Sequence, residues 1–121
     1  MKVLVVDDSK AMRMIVIRTL KQAGFNNLTT VEASSGVEGL AMVADHKPHA
    51  ILSDWNMPEM KGIDFLKKLR EGGDQTLFGF VTSESSPEVK KEAQDAGAAF
   101  FIVKPFTPSS FESALTPVLA H

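Results

Sequence analysis

Short apolar runs alternate with stretches of helical spacing along this 121-residue chain, five of each. The first strand is predicted at Lys2–Val6, and the helix after it opens at Ser9, places Met12, Val16, Leu20 and Ala23 on one face, and stops at Gly24. A second strand over 28–33 mixes Thr29, Thr30 and Glu32 with Leu28 and Val31, a composition that suits a partly exposed edge strand. Val37, Leu40, Ala41 and Ala44 mark the second helix, which Lys47 and Pro48 break before a third strand at Ala50–Ser53. A proline-bearing loop through Met57, Pro58 and Glu59 leads to a third helix (Ile63, Leu66, Leu69) that Gly72 and Gly73 end. The fourth strand is Leu77–Thr82, the fourth helix carries Val89, Ala93 and Ala96 before Gly97, and the fifth strand is Phe100–Val103. The last helix starts near Pro108 with Thr107 as its cap, and Pro117 is expected to kink or fray it near Thr116.

Buried strands that alternate with helices pair in parallel, which puts every strand carboxyl end on one edge of the sheet. Charge collects there. VLVV runs into Asp7 and Asp8, AIL and a serine run into Asp54, and FFIV runs into Lys104. The rest of the composition narrows the field. A chain of this length is expected to form one domain, 1–121, with no linker, repeat or output domain. A net charge of -2 shows no bias toward nucleic acid or an anionic membrane. Without cysteine there is neither a disulfide nor a thiolate metal site, the apolar runs are too short to span a bilayer, and no signal peptide precedes the first strand, so a cytoplasmic protein is expected.

Three aspartates crowded together repel one another and raise the pKa of at least one, unless a cation sits among them. Oxygen-only ligands without His or Cys favour Mg2+, which commonly binds through one or two carboxylates and a phosphate. Three carboxylates and Lys104 sum to -2, so one Mg2+ neutralises the site and admits a phosphate ester that a carboxylate can attack. An esterified Asp54 then carries a phosphoryl group of about -2. The excess charge calls for hydrogen-bond donors, and Thr82 at the end of the fourth strand is placed to be one.

In order and spacing, VLVVDDS, SDWNMPEMKG, VTSES and IVKPF make the whole chain resemble the receiver domain of two-component response regulators, most of all chemotaxis-type single-domain receivers. The resemblance implies an α/β, flavodoxin-like three-layer (βα)5 sandwich with strand order 2-1-3-4-5, a topology for which such receivers are themselves a type example. It implies that Asp54 is the phosphoacceptor, that Asp7, Asp8, Asp54 and the Asn56 carbonyl hold Mg2+, and that Thr82 and Lys104 bind phosphoryl oxygens, the Lys104–Pro105 bond being cis. Asn56 and Glu84 occupy the two positions that tune hydrolytic water in such receivers, and the small Ser83 leaves room for a phosphodonor. Phe101 stands where chemotaxis-type receivers carry a switch tyrosine, which allows an aromatic swing without a hydroxyl. Lys61 replaces a small acidic or amide residue. A stand-alone switch of this kind would take its phosphoryl group from a histidine kinase or a small phosphodonor, release it without being an enzyme on other substrates, and signal by docking an output protein at helix four, strand five and helix five.

Taken singly, these residues have plainer readings. A strand-end aspartate is more often a cap or turn residue, a lone lysine is solvated, Thr82 is an ordinary strand residue, and Phe101 is core. Four motifs in register outweigh them. The alternatives are a Mg2+-dependent phosphatase, which needs a general acid where Asn56 stands, a flavodoxin-like carrier, which needs a phosphate cradle where Asp7 and Asp8 stand, and a vestigial receiver acting only as a binding module. Trp55 is expected to be partly exposed beside the site, and Met12, Met14 and Met42 to be helix filler. Lys67, Lys68, Lys90 and Lys91 read as solvated helix faces, and His46, His49 and His121 have no assigned role.

Overall fold

The computed structural model describes residues 1–119, so His121 lies outside the described residues. Its elements run β1 (Lys2–Val6), α1 (Lys10–Gln22), β2 (Thr29–Ala33), α2 (Gly36–His46), β3 (Ala50–Ser53), α3 (Gly62–Glu71), β4 (Leu77–Thr82), α4 (Pro87–Asp95), β5 (Phe100–Val103) and α5 (Pro108–Leu115). The five strands are parallel in the order β2-β1-β3-β4-β5, the flavodoxin-like arrangement, with β2 at one edge.

Side chains alternate across the sheet, so each central strand feeds two cores. Val3, Val5, Leu52, Val81 and Ile102 pack under α1 and α5 with Val16, Leu20, Phe111 and Leu115. Leu4, Val6, Ile51, Phe78 and Phe80 pack under the other three helices with Val43, Phe65, Leu66 and Ala93. Phe65, Phe78, Phe80 and Phe111 are wholly buried, each worth about 1.5–3 kcal/mol of apolar transfer. Both faces of the sheet are covered, and the strand carboxyl ends form one rim.

Side chains cap most of the helices. Ser9, Ser35, Ser86 and Thr107 accept from the backbone of Met12, Glu38, Val89 and Ser110, leaving α3 the exception. Its cap position is Lys61, which makes no side-chain cap bond because an ammonium cannot accept one. Helix α5 ends at Leu115, and Thr116 still donates to Glu112. Pro117 has no N–H with which to extend the ladder, which accounts for the stop two residues earlier.

The inward face of α2 differs from the one its apolar residues suggest. Val37, Ala41 and Ala44 are exposed, and the buried positions are Gly36, Gly39 and Val43. Glycine is needed at position 39 because a Cβ there would press on the Phe65 ring. Bulk from α3 fills the space, so the helix turns its smallest residues inward. Met14 is likewise half exposed and fills no core.

Candidate functional site

Ladder bonds carry the strand ends past their last residues. Asp7 N–H donates to Ala33, Asp54 N–H to Val6, and Lys104 N–H to Thr82, so three chain segments enter the rim in register. Each side chain then acquires a partner. Asp7 is 4% exposed, and its Oδ1 accepts from Ser9 N–H at 2.9 Å. Trp55 N–H donates to Asp54 Oδ1 at 2.7 Å. The Lys104 ammonium lies 3.2 Å from Asp7 Oδ2 and 3.3 Å from Asp54 Oδ2, bridging two residues 97 and 50 positions away in sequence. The Lys104–Pro105 peptide is cis.

One carboxylate oxygen from each of Asp7, Asp8 and Asp54 lies within 4.8 Å of the others. An all-oxygen set of this size, with Asp8 exposed and Asp54 partly so, fits a hard divalent cation that keeps some of its waters. Burial pushes the Asp7 carboxyl above its ordinary range and the charge of Asp54 adds to the rise, while the Ser9 hydrogen bond and Lys104 pull the other way. Desolvation of Asp7 therefore outweighs what the one ammonium supplies to it.

On the far side of Asp54 the contacts thin out. Thr82 is fully buried at the end of β4, and among the described residues its hydroxyl accepts one bond, from Glu84 N–H at 3.3 Å. Asn56 Nδ2 donates to Glu84 Oε1 at 2.8 Å, joining the loops after β3 and β4 across the opening. Ser83 is exposed beside it. Trp55, Asn56, Lys61, Asp64 and Glu84 line a cleft of about 560 Å³ beside this bridge, with Lys61 among its walls.

Trp55 departs from expectation. It is 5% exposed, with its ring 5.0 Å from that of Phe80 in the core. Its backbone faces the site and its indole turns inward. Phe80 also touches Phe101 at 6.0 Å, and Phe101 is half buried with Lys90 over its outer face. Three rings thus run from the residue after Asp54 to the surface at β5.

Arg13 was passed over in the sequence. Its Nη1 donates to the Asp7 carbonyl at 2.7 Å and its Nε to Glu32 at 2.8 Å. An arginine one position after Met12 and three before Val16, at the margin of the inward stripe of α1, is the signal that could have marked it.

Comparison with known proteins comes to the same place. Residues 3–116 match the family model described as response regulator receiver domain. The chain is 40% identical to chemotaxis protein CheY-3 of Vibrio cholerae, over 98% of this chain and 91% of that protein. It is 38% identical to chemotaxis protein CheY1 of Helicobacter pylori, over 98% and 97% respectively. The solved structure of Vibrio cholerae chemotaxis protein CheY4 superposes with a TM-score of 0.85 at 39% identity, covering 98% of both chains.

Proposed function

The chain belongs to the response regulator receiver domain family, a family of phosphorylation-dependent signalling switches, and we propose that this member is switched by a phosphoryl group on Asp54. The observation that carries the reading is the Lys104 bridge between Asp7 and Asp54 beside a third carboxylate. Asp7, Asp8, Asp54 and the Asn56 carbonyl would hold Mg2+, which when bound neutralises the cluster and draws in an anionic donor.

Asp54 is held ready to attack. Trp55 N–H fixes its Oδ1, and the remaining oxygen points into the charged rim near Lys104. A bond forms from a carboxylate oxygen of Asp54 to phosphorus as the bond from phosphorus to the donor breaks, releasing the imidazole of a kinase phosphohistidine or the acetate of acetyl phosphate. Lys104 then turns from the carboxylates to a phosphoryl oxygen, and Thr82 gives its hydroxyl to another. The Asn56–Glu84 bridge governs which waters reach phosphorus, so the chain assists its own dephosphorylation without being an enzyme on other substrates. Movement of Thr82 and Phe101 biases the surface of α4, β5 and α5 for an output protein. The names of its relatives favour chemotaxis as the pathway.

Incubation with acetyl phosphate and Mg2+, followed by intact mass, tests this. One labile phosphoryl adduct is expected, absent in Asp54→Asn and in EDTA. No adduct would leave a binding module with a vestigial site, and steady phosphate release from unrelated esters would point to a phosphatase.

A further inference from the structure

Arg13 is charged, yet its side chain is only 13% exposed. It stands one turn into α1, where its own N–H closes the first helical bond to Ser9. From there the guanidinium spans three elements, with Nη1 on the Asp7 carbonyl at the end of β1 and Nε on Glu32 in β2. The Asp7 carbonyl belongs to the peptide that joins Asp7 to Asp8. Its orientation sets the direction in which both carboxylates leave the backbone.

We propose that Arg13, aimed by Glu32, is a positioning residue that holds the Asp7–Asp8 peptide in the geometry a divalent cation requires. The inference rests on reading the acidic cluster as a cation site. Two effects of opposite sign compete. As a bare charge, Arg13 would repel a cation; as a planar fork making two bonds at once, it orders the ligands. Glu32 at 2.8 Å cancels much of the charge at longer range, so the ordering effect wins. Groups that hold metal ligands in place typically change affinity by about 10–100-fold when removed.

The test is calorimetric titration with MgCl2 of the wild-type protein, Arg13→Lys, Arg13→Gln, Glu32→Ala and Arg18→Gln, with unfolding midpoints of the metal-free proteins recorded alongside. Lysine keeps the charge but not the fork, and glutamine keeps neither. Both should bind Mg2+ about tenfold more weakly. Glu32→Ala should lose less, and Arg18→Gln, on the exposed face of the same helix, should match the wild type. Tighter binding by Arg13→Gln would overturn the proposal by showing that the charge alone matters, and unchanged binding would overturn it by showing that the fork orders nothing. Should the Arg13 variants not fold, the exposed Glu32 carries the test, and unchanged affinity in Glu32→Ala overturns it. Wild-type protein that binds no Mg2+ would sink the cation-site reading itself, and this inference with it.

Discussion

The two sides of the rim are built differently. On the β1 and β3 side, Asp7 is held by Ser9 N–H and Lys104, the Asp7–Asp8 peptide by Arg13, and Asp54 by Trp55 N–H and Lys104. On the β4 and β5 side, the Thr82 hydroxyl accepts one long bond, Phe101 is half buried between the Phe80 ring and Lys90, and α4 buries only Ala93. The first side has the ligands already arranged, and the second has groups free to respond. A switch needs both, since chemistry demands fixed geometry while a population shift demands an element that little holds in place.

The contrast can be broken most severely at Gly62. A Cβ there would collide with the Asp54 carbonyl and crowd Phe80, so the acceptor loop must move. Gly62→Ala should cost at least about 3 kcal/mol in urea unfolding and reduce phosphorylation of the fraction that folds. A near-neutral result would mean that the ordered side is softer than its contacts indicate.

Asp7→Asn comes next. Because the folded protein holds the Asp7 proton more tightly than the unfolded chain, the folded state binds more protons and stability falls as pH rises through the shifted range. Removing the charge should therefore raise the melting temperature of the metal-free protein at neutral pH, and the gain should fade on acidification toward the ordinary carboxylate pKa. Saturating Mg2+ should favour the wild type instead. A variant less stable at neutral pH in EDTA would contradict the assigned burial penalty.

Thr82→Ala removes a long hydrogen bond and a buried methyl together, and should cost about 1–2 kcal/mol by thermal denaturation. Mass spectrometry should still find the adduct on this variant, while the change it induces in α4 is lost. Loss of folding in Thr82→Ala would place Thr82 with the fixed side. Lys61→Asp supplies the cap that α3 lacks and should add about 1 kcal/mol of stability by thermal denaturation.

Much of this was legible in the chain itself. Strand ends are marked by apolar runs stopping at Asp7, Asp54, Thr82 and Lys104, and parallel pairing brings such ends together whatever their separation. What stayed hidden depended on neighbours distant in sequence. The indole of Trp55 turns inward because Phe80 offers it a face, α2 presents Gly36 and Gly39 because Met60 and Phe65 occupy the space, and Asn56 meets Glu84 from 28 residues away. Arg13 was hidden for the same reason, since its acceptors are a carbonyl and an edge-strand carboxylate rather than a helix neighbour.

Amide hydrogen exchange before and after phosphorylation with acetyl phosphate and Mg2+ tests the division most directly. Protection should change in the loop after β4, in α4 and in β5, while the amides of Leu4–Val6 and Ile51–Ser53 remain as they were. A confirmed adduct whose changes fall mainly in β1 and β3, leaving α4 untouched, would contradict it.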